Sequence, residues 1–170
     1  MMRGPRTTGR GGHRAPRSEF DQKMIDLRRV SRVVAGGRRF SFRATMVLGN
    51  RKGLVGVGIG KGADASQAMD KAQREAKKRM VEVPLGKSSR IPFEVEAKFG
   101  AARVRLRPIG EGRGLVAGGA ARVVLSLAGV TNTSCKILSR TKNKINNARA
   151  ALEALRILSE AKRAKNHATP

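Results

Sequence analysis

Residues 55–60 alternate strictly between an apolar residue and a glycine, and no other pattern in the chain constrains the fold as strongly. Val55, Val57 and Ile59 would share one face of a β-strand, and the opposite face would carry no side chains. A bare strand face lets another backbone approach closely. We therefore expect a helix or another backbone segment to lie against the glycine face.

The segment before this strand predicts its antiparallel partner. Apolar residues occupy every second position from Phe40 to Leu48. The positions facing the other way are Arg39, Ser41, Arg43 and Thr45. Such alternation is typical of a half-buried strand, and the turn over 49–53 (Gly-Asn-Arg-Lys-Gly) would join the two strands into a hairpin. The first core is expected to contain Phe40, Phe42, Val55 and Val57.

From Asp64 onward the apolar period is that of an amphipathic helix. Its stripe consists of Ala65, Ala68, Met69, Ala72, Ala76, Met80 and Val83. Asp64 is positioned to cap the helix, Gln67 holds the reciprocal capping-box position, and Pro84 would end the helix. Upstream of the hairpin, residues 20–34 predict a strand, or a short helix leading into one, that ends before the glycine pair at 36–37.

The second half predicts another set of strands and helices. Alternation over 93–98 and 103–107 indicates two strands, and a glycine-rich loop spans 110–119. A short helix should follow with Gly129 as its C-cap, and then a strand over 130–138.

A long final helix is predicted to begin near Thr141 or Asn143. Its apolar stripe is Ile145, Ala148, Leu152, Leu155 and Leu158. The predicted organisation is a disordered basic arm (1–19), a first domain (20–85), a linker (86–92), a second domain (93–160) and a basic tail (161–170). The fold class is therefore α+β.

The formal net charge of +25 is distributed over the whole chain, so both halves must face anions. Nucleic acid supplies phosphate densely. An anionic membrane would need large apolar residues opposite the cations of a helix, and the best basic helix offers only alanine and methionine there. Because only 3% of residues are aromatic, with no Trp or Tyr, the composition argues against an RNA reader built on base stacking.

The strongest candidate site is a basic strand that enters and leaves a Gly-Gly tip. Glycine permits close backbone approach to a nucleic-acid groove, and arginine binds phosphate bidentately. The predicted RNA-binding residues are Arg28, Arg29, Arg32, Gly36, Gly37, Arg38, Arg39, Arg43, Lys52, Lys61 and Arg113. A merely solvated charged surface is the alternative.

The nucleotide-binding motifs in the chain are weak. Residues 58–63 fit G-x-G-x-x-A, but a tight hairpin precedes them and no acidic residue ends a second strand downstream. Gly86-Lys87-Ser88 lacks the earlier glycine of a P-loop. The glycine-rich loop before a helix would suit an RNA backbone or a mononucleotide phosphate, or form only a flexible turn.

The sequence offers little for catalysis, cofactor binding or metal binding. His13 and His167 lie in the predicted terminal segments, and Cys135 has no histidine near it in the sequence. Glu94 and Glu96 share a strand face, where a solvated surface is the commoner role. We therefore predict no enzymatic activity, no cofactor and no metal.

Two stretches resemble the bacterial small-subunit ribosomal protein five family. They are RRVSRVVAGGRRFSFRATMVLGNRKGLVGVGIGKG (Arg28–Gly62) and EGRGLVAGGAARVVLSLAGV (Glu111–Val130), and the similarity extends over Phe20–Leu158. The resemblance implies a first domain similar to double-stranded-RNA-binding domains, with a three-stranded antiparallel sheet and one helix. It implies a second α+β domain with a four-stranded sheet and two helices.

The resemblance also implies a function. The chain would bind small-subunit ribosomal RNA at the junction of head and body, beside ribosomal proteins four and eight and close to the messenger RNA entry pore. It would support assembly and decoding accuracy on cytoplasmic ribosomes, with no membrane or small-molecule partner. The loop over Val34–Phe40 would lie beside head RNA and the spectinomycin site, and the second domain would pack against protein four.

Two features depart from the family. Ala35 stands where the family usually has lysine, and residues 139–144 lack the family's proline before the last helix. Two other functions remain as alternatives, a free RNA chaperone or regulator and, more remotely, a nucleotide-dependent enzyme.

Overall fold

A computed structural model describes residues 19–86 and 89–167. Positions 1–18 of the predicted arm, with His13, lie outside this part, as do residues 87–88 and 168–170. The described elements are β1 (Asp21–Val34), β2 (Gly37–Gly49), β3 (Leu54–Gly62), α1 (Ala65–Lys78), β4 (Val81–Glu82), β5 (Val95–Phe99), β6 (Ala102–Pro108), β7 (Leu115–Ala117), α2 (Gly119–Ala128), β8 (Thr133–Ile137) and α3 (Lys144–His167).

The strands form two four-stranded sheets, which confirms the predicted α+β class. The first sheet has the order β1-β2-β3-β4 with antiparallel neighbours, and the second has the order β5-β6-β8-β7, in which β7 and β8 are parallel. The short β4 adds a strand to the three that the family resemblance implies. The sequence also missed β7, which lies inside the predicted glycine-rich loop.

The glycine face of β3 lies directly against α1, as the alternation predicts. A Cβ atom on Gly58 would overlap the carbonyl oxygen of Ala72, and Gly56 and Gly60 meet α1 carbonyl oxygens in the same way. The residues that α1 presents are small and fully buried: Ala68, Ala72 and Ala76. Glycine on the strand and alanine on the helix therefore bring the two backbones together without side chains between them.

The opposite face of the first sheet packs against the second half of the chain. Val47, Val55 and Val57 belong to one continuous apolar cluster with residues of α2 and α3, among them Leu125 and Leu155. The two halves therefore share a core.

Backbone contacts reinforce this shared core at the turn over 50–53. The N–H of Arg51 donates to the Leu127 carbonyl at 2.9 Å, and the N–H of Gly53 donates to the Ala128 carbonyl at 3.0 Å. A Cβ on Gly129 would overlap the carbonyl oxygen of Arg51. The turn is thus fixed to the C-terminal end of α2.

This packing overturns two of the predicted burial assignments. Thr45 was expected on the solvent side of β2 but is fully buried, because α2 and α3 cover that face. Phe40 was expected in the first core but is 52% exposed, because β1 and β2 run on past the part of the sheet that α1 covers.

The helix ends also differ from some predictions. α1 ends at Lys78 rather than at Pro84, because the chain turns at Arg79 and enters β4. Asp64 holds the N-cap position, but its side chain makes no capping hydrogen bond. Gly129 caps α2 with φ of 80°, as predicted.

The final helix starts where the sequence indicates. The N–H of Ile145 donates to Asn143 Oδ1 at 3.1 Å, which caps the first turn of α3. α3 continues to His167, so residues 161–167 are helical where the sequence suggested a fraying tail.

Replacing Gly58 by alanine should lower the free energy of unfolding by about 2 kcal/mol, because α1 must move away from β3. Gly36→Ala is the matched control, since nothing lies within 4 Å of a Cβ added there. Urea unfolding followed by circular dichroism would measure both variants. Equal midpoints for Gly58→Ala and the parent protein would contradict the packing described here.

Candidate nucleic-acid interface

The β1–β2 hairpin projects beyond the rest of the first sheet. The last residue of β3, Gly62, pairs with Phe42, whereas β1 and β2 stay paired as far as Val34 and Gly37. We call residues 28–43 the arginine ribbon. It contains no Asp or Glu and carries Arg28, Arg29, Arg32, Arg38, Arg39 and Arg43.

Strand register places cations beside one another on one face of the ribbon. Arg28 pairs with Arg43, and Arg43 pairs with Lys61 on β3, so three cations form a row across three strands. Arg32 pairs with Arg39 further along the same face. Directly opposed like charges repel each other, so this face favours an anionic ligand.

The row continues the face that the second half of the chain covers. Arg43 lies on the same strand face as the buried Thr45, two residues closer to the ribbon tip. Its Nε is buried and has no hydrogen-bond partner among the described residues.

Asp26 holds the base of the ribbon to α3. Its side chain is 11% exposed, and its carboxylate contacts Arg28 Nε at 2.8 Å and Lys144 Nζ at 3.7 Å. Lys144 starts α3, far away in the sequence, and no local sequence pattern places it or Asp26 here. The positive end of α3 therefore borders the cationic row.

The other face of the ribbon differs in character. Val33 pairs with Arg38, and Phe40 pairs with Ser31, so these residues share the face that α1 covers further down the sheet. The Arg29 guanidinium lies over the Phe40 ring, with its Cζ 4.6 Å from the ring centroid.

The ribbon tip is sterically open, and its predicted role in backbone approach stays a prediction. Nothing lies within 4 Å of a Cβ added at Gly36 or Gly37, so both positions are open. Gly37 has φ of 139°, which only glycine adopts without strain.

Two of the predicted site residues lie elsewhere. Lys52 is in the turn at the opposite end of the first sheet, where Asn50 Oδ1 accepts its N–H at 2.8 Å. Arg113 lies in the loop before β7 on the second sheet. The structure thus brings together every predicted site residue except Lys52 and Arg113.

The uncovered face of the second sheet is also charged, and its arginines are paired with two glutamates. Glu96 contacts Arg103 at 3.3 Å and Arg105 at 3.1 Å, and Glu94 contacts Arg105 at 3.5 Å and Arg107 at 3.8 Å. Glu94 and Glu96 therefore serve as partners of arginine on a solvated face, as the sequence suggested.

The glycine-rich loop has a distinct geometry. Gly112 and Gly114 have φ of 84° and 64°, and the Gly114 N–H donates to Asn132 Oδ1 at 3.3 Å. No side chain caps α2, whose N-cap is Gly118. Phosphate binding at this helix start stays a prediction.

Cys135 and the described acidic residues offer no reactive site. Burial raises the pKa of the Cys135 thiol to about 11, so the thiol stays protonated near neutral pH. Residues 19–86 and 89–167 contain no group of three or more His, Cys, Asp or Glu arranged to hold a metal ion. Within the same residues, no helix has the length and apolar character to cross a membrane.

A projecting arginine ribbon on a two-sheet α+β core is typical of basic proteins whose surface is suited to a polyanion. Comparison with known proteins narrows this class. The family model "Ribosomal protein S5, N-terminal domain" matches residues 20–84, and "Ribosomal protein S5, C-terminal domain" matches residues 97–167.

Individual relatives agree with the family models. "Small ribosomal subunit protein uS5c" of Cyanophora paradoxa is 50% identical over 142 residues, which cover 84% of this chain and 83% of the relative. "Small ribosomal subunit protein uS5" of Thermosynechococcus vestitus is 48% identical over 141 residues, which cover 83% of this chain and 80% of the relative. The chain belongs to the ribosomal protein S5 family. It is therefore a structural protein of the small ribosomal subunit, and not an enzyme, as predicted.

Replacing Asp26 by asparagine should lower the free energy of unfolding by about 1 kcal/mol, because Arg28 and Lys144 lose their shared carboxylate. The loss should shrink at high salt, where charges are screened. Asp70→Asn, at an exposed position of α1, is the control and should be neutral. Urea unfolding at low and high salt measures both variants, and a salt-independent loss would argue against an electrostatic role.

Cys135 should react with iodoacetamide at about pH 8 roughly 100-fold more slowly in the folded protein than in urea, because its raised pKa leaves little thiolate. Mass spectrometry of timed samples would give both rates. Equal rates would contradict the burial of this thiol.

Proposed function

We propose that the chain binds small-subunit ribosomal RNA through the arginine ribbon. The observation that carries this proposal is the row Arg28–Arg43–Lys61, in which cations stand on three adjacent strands. Asp26, just outside the ribbon, pairs with Arg28, and the ribbon itself contains no acid. Neighbouring strands are about 4.8 Å apart, so the row presents closely spaced donors to a phosphate backbone.

The proposed mechanism is electrostatic clamping with recognition of RNA shape. Arginine donates two parallel N–H bonds to a phosphate, and each phosphate neutralised releases counterions. Gly36 and Gly37 let the tip backbone approach the RNA without steric hindrance. Lys52 and Arg113 would make separate phosphate contacts, one at the far end of the first sheet and one on the second.

We further propose the location that the family resemblance implies. The chain would lie at the junction of head and body, near the messenger RNA entry pore, with ribosomal proteins four and eight as neighbours and a role in assembly and decoding accuracy. Residence on cytoplasmic ribosomes stays a prediction.

A free RNA chaperone or regulator is the second candidate, since the same ribbon would bind RNA away from the ribosome. Density-gradient fractionation at low and high salt separates the two. One copy per small subunit at moderate salt supports the ribosomal role. Release into light fractions even at low salt would favour the free RNA-binding protein.

The double variant Arg38→Glu plus Arg39→Glu should weaken binding to small-subunit ribosomal RNA and reduce the slope of log affinity against log salt by about two. Filter binding across a salt series measures both quantities. The free energy of unfolding should not fall, because both side chains are exposed at the tip.

Lys162→Glu plus Arg163→Glu is the matched control. It makes the same charge change on α3, where Arg163 contacts Glu82 beside the opposite end of the first sheet. Equal losses of affinity and slope in both double variants would mean that net charge alone governs binding and would remove the ribbon from the proposal.

A further inference from the structure

The exposed apolar side chains of the arginine ribbon lie together. Phe40 is 52% exposed and Val33 is 72% exposed. They are diagonal neighbours on one ribbon face, since Phe40 pairs with Ser31 and Val33 pairs with Arg38. We call Arg29, Val33, Arg38 and Phe40 the Phe40 platform.

Phe40 does not contribute to a buried core, whereas Phe42 on the same strand does. Phe42 is partly buried and packs with Met69 against the cluster of Ala44, Met46, Ala68 and Ala72. Phe40 lies two residues further out, past the end of β3, where no described element covers the ribbon. Phe40 and Val33 together form a contiguous exposed apolar patch, and contiguous apolar patches are a feature of binding surfaces.

One face of the Phe40 ring is already occupied by a cation. The Arg29 guanidinium lies over it with Cζ 4.6 Å from the centroid, and the ring is still half exposed. A planar group can therefore stack on what remains of the ring, with Arg29 and Arg38 available to bind negative charge next to it.

We propose that the Phe40 platform stacks an unpaired nucleobase of the bound RNA, whose flanking phosphates Arg29 and Arg38 hold. Charge complementarity selects this occupant, because an unpaired nucleotide brings a flat apolar ring and phosphates together and the ribbon contains no acid. An apolar protein segment would have to supply its own carboxylates, and two apolar side chains are too few to anchor the ribbon in lipid.

This inference rests on the proposed function and adds a preference to it. The cationic row on the opposite face contacts phosphate and does not distinguish paired from unpaired RNA. The platform distinguishes them, because a base inside a helix has no free face to stack on a side chain. The low aromatic content argues against a surface of many stacking rings, but one ring is enough for one base.

A tryptophan at position 40 tests the stacking directly. The chain contains no Trp or Tyr, so Phe40→Trp provides a single emitting residue. A stacked base should quench its fluorescence when an oligo(A) single strand binds, and a blunt RNA duplex of the same length should quench it much less. Equal quenching by both RNAs, or none at saturation, would overturn the proposal.

Leu138→Trp is the control for unspecific quenching. Leu138 is 40% exposed and lies just after β8 on the second sheet, outside the ribbon. Its tryptophan should change little with either RNA. Quenching there equal to that at position 40 would also count against the platform.

Affinity measurements separate this inference from the proposed function. Phe40→Leu should weaken binding of the oligo(A) strand about 5- to 150-fold without changing the salt slope, because no charge is lost. Phe40→Tyr should restore the affinity. Unfolding curves of both variants show whether the fold is kept.

The two failures have different signatures. If Phe40→Leu binds as tightly as the parent while Arg38→Glu plus Arg39→Glu still loses affinity, stacking is wrong and the phosphate clamp stands. If the charge variant binds normally while Phe40→Trp is quenched, the clamp and the phosphate contact of Arg38 are wrong, and the stacking stands.

Discussion

The contact between α1 and the glycine face of β3 determines how the rest of the chain can be arranged. Because that face carries no side chains from Gly56 to Gly62, α1 covers it at backbone distance, and Val55, Val57 and Ile59 point the other way. The opposite face must then be covered by something else, and α2 and α3 do so. β1 and β2 extend beyond the part of the sheet that α1 covers on one face and that α2 and α3 cover on the other. Their uncovered end is the arginine ribbon.

Sequence periodicity predicted the elements that are decided locally. The glycine–valine alternation, the alanine stripe and the C-cap at Gly129 all depend on neighbours within a few residues, and all were confirmed. The burial of Thr45 and Phe40 was predicted wrongly. Alternation along a strand shows that its two faces differ, but it does not show which part of each face is covered by a helix from elsewhere in the chain. β7 was missed because its three residues are too short to show a period.

In the candidate site too, features decided by neighbouring residues could be predicted from the sequence, and contacts between distant elements could not. Its arginines were found from composition along β1 and β2, but Asp26 and Lys144 meet only through the packing of α3 on the first sheet. Composition also treats all arginines alike. Arg105 contacts Glu94 and Glu96, whereas Arg43 lies between Arg28 and Lys61, and only the pairing of the strands distinguishes these environments.

The shared core has a consequence for synthesis of the chain. The first sheet leaves the translating ribosome before α2 and α3 exist, so Val47, Val55 and Val57 have no cover until the last helix has emerged. During that interval the nascent chain exposes an apolar surface beside a strongly cationic hairpin. Such intermediates are prone to aggregation, so the time between synthesis of β3 and of α3 is when this protein most needs a chaperone.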